Sequence, residues 1–184
     1  MTRRRSERAL VDEARVGDVR SFERLLELHD SRMRALAFRM LGSATSMDDV
    51  LQDAYVRAFR KLDDFKGEAA FGTWLHRIVA NACLDELRRS ARRPQLELDE
   101  TADHTGSARP FDETSAQRLD LAAALSQLEP ELRLVVLMID VDGFSYGEVA
   151  RTLSIPAGTV ASRLNRARAA LRPHLASTYG GSRP

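Results

Sequence analysis

Apolar side chains recur at three- and four-residue steps over most of the chain, and this spacing restricts its fold more than any other feature. The clearest stripe runs through residues 19–41 and includes Phe22, Leu25, Leu36 and Met40. Such spacing places apolar groups on one face of an α-helix. No stretch alternates Val, Ile or Thr with polar residues as a half-buried strand would. The sequence therefore predicts an all-α fold.

The predicted helices form two groups that an acidic stretch separates. The first group covers about 19–41, 46–62 and 71–89, and Ser46 and Asp49 have capping-box spacing in the second of these. Residues 94–114 hold six acids and one arginine and show no apolar period. A structureless stretch of this length is unusual inside one compact domain. We expect two small helical domains over 18–93 and 115–176, a flexible acidic linker over 94–114, and tails at 1–17 and 177–184, with Arg3–Arg5 disordered.

Several classes of protein are excluded by what the sequence lacks. Cys83 is the only cysteine, so an intramolecular disulfide is impossible, and the four histidines have no metal-ligand spacing. No run approaches the roughly 18 apolar residues of a membrane span, and no apolar signal segment follows the Arg-rich start. No acid pair comes with a nucleophile, a base or a phosphate-binding glycine loop. We expect a cytoplasmic protein that is not an enzyme, uses no cofactor or metal and does not insert into a membrane.

The basic residues concentrate at the C-terminal end, although the net charge of the chain is only +1. Glu148 is the last acid, and six arginines follow it. The 148 residues up to that point carry 22 basic and 27 acidic side chains. A basic end segment on a mildly acidic body is typical of proteins that bind nucleic acid.

The strongest local motif is a pair of short helices between residues 145 and 174. Ser145 and Glu148 form a capping box, Ser154-Ile155-Pro156 interrupts the chain, and a second amphipathic helix follows. This is the plan of a helix-turn-helix, whose second helix enters the major groove. The side chains suited to base or phosphate contacts are Arg151, Thr159, Ser162, Arg163, Asn165, Arg166 and Arg168. The alternative is a helical hairpin with a solvated basic face.

Two further clusters lie in the first group of helices. Residues 63–75 combine three aromatic side chains, Lys66 and two glycines, a composition suited to holding unpaired bases. Phe71 and Trp74 also have the helix spacing of core residues, so a purely structural role is the alternative. The second cluster is polar and comprises Asp48, Asp49, Gln52 and Asp53. By themselves, acids at a helix start favour the helix dipole and require no partner.

Three stretches resemble the extracytoplasmic-function group of bacterial RNA polymerase sigma factors. They are DDVLQDAYVRAFRKLDDFKG at 48–67, AFGTWLHRIVANACLDELRR at 70–89 and FSYGEVARTLSIPAGTVASRLNRARAALR at 144–172. The resemblance implies a protein that binds core RNA polymerase, directs it to promoter DNA and promotes strand opening. It also implies an anti-sigma factor as a partner, and we expect the free protein to be a monomer.

The resemblance further implies roles for individual residues. The polar cluster Asp48, Asp49, Gln52 and Asp53 would bind the clamp of the core polymerase. The minus-ten element would contact Phe65, Lys66, Gly67, Ala69, Phe71, Trp74, Asn81, Arg88 and Arg89. The minus-thirty-five element would contact the seven helix-turn-helix residues named above.

A stand-alone helix-turn-helix regulator with an N-terminal sensing domain is the competing hypothesis. It explains residues 115–175 equally well but leaves residues 48–89 without a role. It would also require a dimer to match two half-sites on DNA.

Overall fold

All the regular elements in the described residues are helices, which confirms the all-α prediction. The computed structural model describes residues 2–92 and 121–179. The first helices are α1 Thr2–Arg15, α2 Val19–Leu41, α3 Ala44–Arg60 and α4 Phe71–Arg92, with a 3₁₀ turn Leu62–Asp64 between α3 and α4. Residues 121–126 are helical, and α5 Pro130–Val136, a π-helical segment Leu137–Val141, α6 Tyr146–Leu153 and α7 Ala157–Tyr179 follow.

The chain divides into two compact units, residues 1–86 and 87–184. The predicted linker, residues 94–114, lies outside the described residues, so the predicted domain limits stay a prediction. The helix α7 continues to Tyr179, beyond the predicted start of the C-terminal tail. No helix within 2–92 or 121–179 has the length and hydropathy that a membrane crossing requires.

The core of the first unit is built from the apolar stripes of α2, α3 and α4. α2 begins after Asp18, whose carboxylate accepts a hydrogen bond from the backbone N–H of Arg20, and it ends at Gly42 in the left-handed conformation, φ 71°. Both limits match the stripe predicted over residues 19–41, and a glycine just past the end is a common helix terminator. The buried side chains include Phe22, Leu25, Met33, Leu36, Met40, Leu51, Leu75, Val79 and Cys83.

The helix α3 begins two residues earlier than the sequence predicts. Ser43 is its N-cap, and the Ser43 hydroxyl accepts a hydrogen bond from the backbone N–H of Ser46 at 3.3 Å. Ser46 therefore lies inside the first turn, and its predicted role as a cap is wrong. Because Ser43 directly follows the glycine that ends α2, the connection between the two helices is only two residues long.

Residues 2–15 form the helix α1, whereas the sequence analysis predicts a tail with disordered arginines. Val11 and Ala14 of α1 are buried, and the helix packs along α2 and against the 3₁₀ turn. Glu7 lies one helical turn before Val11, and its carboxylate is hydrogen-bonded to Nε2 of His29 in α2. This inward face holds few apolar residues among many charged ones, so its periodicity is weak in the sequence.

In the second unit α5 is buried around its whole circumference. Residues 132–136 are all buried, and Leu137 and Met138 of the π-helical segment continue the buried stretch with at most 1% exposure. The helix α7 packs on α5, and α6 packs on α7 and on the π-helical segment. Such burial makes α5 the central helix of the core of this unit.

Arg133 is the buried charged residue of α5. Its guanidinium donates hydrogen bonds to the backbone carbonyls of Ser126 and Leu128, the latter at 3.1 Å. These carbonyls lie at the C-terminal end of the helical residues 121–126, where helical carbonyls lack intrahelical partners. Arg133 therefore closes that helix end from inside the core.

The helix-turn-helix forms as the sequence predicts. The hydroxyl of Ser145 accepts from the backbone N–H of Glu148 at 3.3 Å, and the Glu148 carboxylate accepts from the backbone N–H of Ser145 at 2.8 Å. α6 ends at Ser154, whose φ of 53° is left-handed, and α7 begins after Pro156. The inward side chains are Val149, Val160, Leu164, Ala167 and Leu171.

Candidate nucleic-acid and protein interfaces

Four polar residues form an exposed face on the first half of α3. Asp48, Asp49, Gln52 and Asp53, called the acidic face below, are all exposed. Residues four apart are neighbours on a helix surface, so Asp48 lies beside Gln52 and Asp49 beside Asp53. The face therefore presents three carboxylates and one amide together, as a basic protein partner would require.

One member of the acidic face is anchored to α2. The Arg34 guanidinium bridges Asp48 and Asp30, with N–O distances of 2.6 and 2.9 Å. The hydroxyl of Tyr55 donates to the other oxygen of Asp30 at 3.1 Å. The hydrogen bond to Asp48, together with that to Asp30, raises the pKa of Arg34. The Asp48 carboxylate is therefore held in one orientation and partly neutralised.

The aromatic residues around the loop 65–70 form a cluster. The ring centroids of Phe65, Phe71 and Trp74 lie 5.4 to 5.8 Å apart. Phe65 and Phe71 are only 8% and 2% exposed, whereas Trp74 is half-buried. Burial of both rings favours a core role over the predicted contact with bases, the alternative that the helix spacing of Phe71 and Trp74 allowed.

The outer part of the loop remains accessible. Lys66, Gly67, Glu68, Ala69 and Ala70 are all exposed. Gly67 has a φ of 73°, a conformation that favours glycine and leaves its backbone open to a ligand. The loop can therefore offer a base its backbone groups and the Lys66 ammonium.

Three of the predicted minus-ten residues share one stripe of α4. Trp74, Asn81 and Arg88 follow one another at seven-residue steps, which is nearly two helical turns. Asn81, Arg88 and the neighbouring Arg89 are exposed. An amide and two guanidinium groups along one helix suit contacts to base edges and phosphates.

Two contacts that no pattern in the sequence predicts lie at the ends of the loop 65–70. Arg15 of α1 donates hydrogen bonds to the backbone carbonyls of Leu62, at 3.4 Å, and Phe65. At the other end, the His29 ring packs against Phe71, with ring centroids 5.8 Å apart. The sequence signal for α1 is the spacing of its inward residues Glu7, Val11 and Ala14 at steps of four and three.

The outward face of α7 carries the predicted base-reading residues. Ser162, Asn165 and Arg166 are exposed, and Thr159 is half-buried. The Ser162 hydroxyl donates to the carbonyl of Thr159 at 3.0 Å, which fixes that hydroxyl on the helix surface. Of the predicted phosphate contacts, Arg151 is exposed on α6 and Arg163 is half-buried on α7.

Two arginines of α7 form ion pairs with acids from earlier elements of the same unit. Arg168 contacts Asp140 through two hydrogen bonds of 3.0 and 2.6 Å, which raise the pKa of its guanidinium. Arg166 lies 3.5 Å from Glu129. The pairs join residues 28 and 37 positions apart, beyond the reach of any helical spacing rule. A DNA phosphate would compete with these carboxylates.

The remaining candidates for chemistry are acid and histidine clusters and the thiol of Cys83. Within the residues that the structure describes, no group of three His, Cys, Asp or Glu side chains is arranged to hold a metal ion. Cys83 is fully buried, and burial raises the pKa of its thiol to about 12. A buried neutral thiol is unreactive, so Cys83 is assigned to the packing of the core.

Comparison with known families gives two matches in sequence order. Residues 25–93 match Sigma-70 region 2, and residues 118–171 match Sigma-70, region 4. The first match covers the acidic face, the loop 65–70 and α4. The second covers the helix-turn-helix.

Several known proteins are similar to this chain over most of its length. The ECF RNA polymerase sigma factor SigM of Mycobacterium tuberculosis is 38% identical over 91% of this chain and 83% of its own length. The ECF RNA polymerase sigma factor SigE of Mycolicibacterium smegmatis is 37% identical over 85% of this chain, which spans 62% of that relative's length. The sigma factor RpoE, solved with the anti-sigma factor NepR from Bartonella quintana, superposes with a TM-score of 0.67 at 25% identity, covering 90% of this chain and all of that one.

Proposed function

The chain belongs to the extracytoplasmic-function sigma factors of bacterial RNA polymerase, and we propose that it divides promoter recognition between its two helical units. A sigma factor recruits the polymerase to a promoter and supports initiation, and it is not an enzyme. The observation that carries the proposal is the order of the two matches, Sigma-70 region 2 followed by region 4. The regular elements among the described residues of both matched stretches are helices.

The acidic face is proposed to bind the core polymerase. Its carboxylates project from one rigid helix, and complementary charge on a partner increases the rate and the specificity of docking. Asp48 is oriented by Arg34, whereas Asp49 and Asp53 extend along the adjacent turn. We expect changes at Asp49 and Asp53 to report on docking most directly, because they leave the ion pairs of Arg34 with Asp30 and Asp48 intact.

The loop 65–70 and α4 are proposed to hold the opened minus-ten element. Extruding a base costs a few kcal/mol of stacking and pairing, and contacts made only to the extruded base offset this cost. Lys66, the Gly67 backbone and Ala69 border the loop surface, while Trp74, Asn81, Arg88 and Arg89 continue along α4. Phe65 and Phe71 support the loop from the core and are not proposed to touch the base.

The face of α7 is proposed to bind the minus-thirty-five element in the major groove. Arg166 can pair with guanine and Asn165 with adenine, while Ser162 and Thr159 can bond to either kind of base. Arg151, Arg163 and Arg168 are proposed to contact phosphates. Joining two weak DNA readers to one polymerase raises their effective concentration, so neither has to bind tightly alone.

The partners and the cellular site follow from the same proposal. The relative RpoE was solved with an anti-sigma factor, and we propose that a protein of that class sequesters this chain as well. The free chain is proposed to be a monomer that acts in the cytoplasm, where RNA polymerase transcribes.

A run-off transcription assay with purified core polymerase tests the proposal. We expect initiation at defined promoters only when the chain is added, and weak, salt-sensitive DNA binding by the chain alone. A dimer that binds operator DNA tightly without the polymerase would contradict the proposal and favour the stand-alone regulator.

Charge-reversal variants test the docking surface within the same assay. Asp49→Lys and Asp53→Lys are expected to weaken core binding and initiation together, with unchanged thermal stability. Glu23→Lys, at an exposed acid of α2, is the matched control and should leave both unchanged. Equal effects of all three variants would show that net charge, and not the acidic face, determines docking.

A further inference from the structure

We propose that α1 is a positioning element for the loop 65–70, which it fixes at both ends so that the loop is ready to receive an extruded base. The inference rests on the proposed role of that loop in holding the minus-ten element. It adds a role for residues that lie before both family matches, since the first match begins at residue 25.

The first contact is made by Arg15, the last residue of α1. Its guanidinium donates to the carbonyls of Leu62 and Phe65, and its central carbon lies 6.0 Å from the centroid of the Phe65 ring. These carbonyls belong to the 3₁₀ turn and to the first residue of the loop. Hydrogen bonds from a charged donor are stronger than neutral ones, so this contact fixes the position where the loop leaves the core.

The second contact is made by Glu7, two helical turns earlier. Its carboxylate lies 2.6 Å from Nε2 of His29. The His29 ring in turn packs against Phe71 and against Gly72, where an added Cβ would lie 2.6 Å from ring atoms Cε1 and Nδ1. Gly72 therefore permits this close approach, and the pair fixes the position where the loop enters α4.

One rigid helix thus controls both ends of the loop, while the five residues between them stay exposed. Fixing the ends reduces the number of conformations that the loop must give up when a base binds, and such preorganisation raises affinity without adding a contact to the ligand. Arg15 already donates to two carbonyls, so its own role is to position the loop backbone.

The test compares four holoenzymes that contain the wild-type chain, Arg15→Ala, Arg15→Lys or Arg8→Ala. Arg8 is an exposed arginine of the same helix and serves as the matched control. The measurements are core-polymerase affinity, thermal stability, and the affinity of the holoenzyme for a single-stranded minus-ten oligonucleotide from a promoter found by run-off transcription. Amide hydrogen exchange of residues 66–70 reports the order of the loop directly.

We expect Arg15→Ala to weaken oligonucleotide binding by about tenfold and to accelerate exchange in the loop, with core affinity within about twofold of the wild type. Arg15→Lys should recover part of the loss, because one ammonium can reach one carbonyl but cannot span both. Arg8→Ala should match the wild type. If Arg15→Ala is too unstable to assay, Glu7→Gln tests the other end of the loop, with the same direction of change in both readouts.

Lys66→Ala separates failure of this inference from failure of the proposed function. If Lys66→Ala weakens oligonucleotide binding while Arg15→Ala changes neither binding nor exchange, the role of α1 is disproved and the role of the loop stands. If neither variant alters binding, the loop does not hold the base, and both proposals are overturned.

Discussion

Arg168 of α7 and Asp140 of the preceding π-helical segment form a two-pronged ion pair, with N–O distances of 3.0 and 2.6 Å. The pair joins the proposed DNA-reading helix to the π-helical segment at the surface of the second unit. It also places a carboxylate next to an arginine that is proposed to bind phosphate. The protein therefore carries an internal competitor for that phosphate contact.

Removing this competitor is expected to strengthen DNA binding. In Asp140→Asn the carboxylate that repels phosphate is lost and Arg168 is released, so the holoenzyme should bind promoter DNA about two- to fivefold more tightly at low salt, a range set by the small energy of exposed ion pairs. Fluorescence anisotropy at several salt concentrations measures the effect, which should shrink as salt rises. Glu23→Gln is the control, and weaker binding by Asp140→Asn would mean that the pair instead positions Arg168 productively.

The capping box predicts a pH dependence for the second unit. The hydrogen bond from Ser145 lowers the pKa of Glu148 below its ordinary 4.5. Because the folded pKa is the lower one, the carboxylate stabilises the fold above pH 4.5 and this stabilisation is lost as the pH falls through the folded pKa. Thermal unfolding between pH 7 and pH 3 should show a smaller acid-side loss in Glu148→Gln than in the wild type.

Loss of the cap itself should be visible at neutral pH. Ser145→Ala is expected to reduce the free energy of unfolding by about 1 kcal/mol, because the backbone N–H of Glu148 loses its acceptor. Denaturant titration at pH 7 measures this, with Ser126→Ala as a control on an exposed serine outside α6. An unchanged free energy of unfolding in Ser145→Ala would contradict the prediction.

A methyl group at Gly72 should destabilise the first unit. The new Cβ would lie 2.6 Å from two atoms of the His29 ring, and overpacking of this kind costs about 1–3 kcal/mol. In the double variant Gly72→Ala with His29→Ala the clash is absent, so the total loss should be smaller than the sum of the single losses. Gly158→Ala, where nothing lies within 4 Å of the added group, should not destabilise the protein; strict additivity in the double variant would refute the contact.

The thiol of Cys83 should react only when the first unit unfolds. It is fully buried, and its pKa is raised to about 12, so almost no thiolate exists at neutral pH. We expect no labelling by a disulfide reagent in the native protein and complete labelling in denaturant. Rapid labelling under native conditions would contradict this prediction.

Periodicity and capping rules identify much of this fold, and they fail where contacts are long-range. The limits of α2 and the capping box of α6 depend on neighbouring residues, so spacing alone predicts both. The ion pair between Arg168 and Asp140 joins residues 28 positions apart. No local rule detects such a pair, because it exists only once the helices have packed.

In the candidate sites, too, features that depend on local spacing are predicted from the sequence, and features that depend on packing are not. Exposure of the acidic face follows from the apolar stripe of α3, which leaves those positions outside. The role of the aromatic residues is harder to predict, because a ring that stacks on a base and a ring that fills a core are the same residue types in the sequence. The burial of Phe65 and Phe71 favours the core role, and α1 escapes prediction because its inward face holds few apolar groups.

Because α5 is buried and the proposed DNA-binding face of α7 is exposed, the stability of the second unit and its DNA recognition depend on different residues. Truncations in α5 would open voids in the core of this unit, so that helix has little freedom to vary. The outward positions of α7 contribute nothing to that core. Exchanges at the exposed positions of α7 would therefore change the proposed DNA contacts while the core beneath them stays the same.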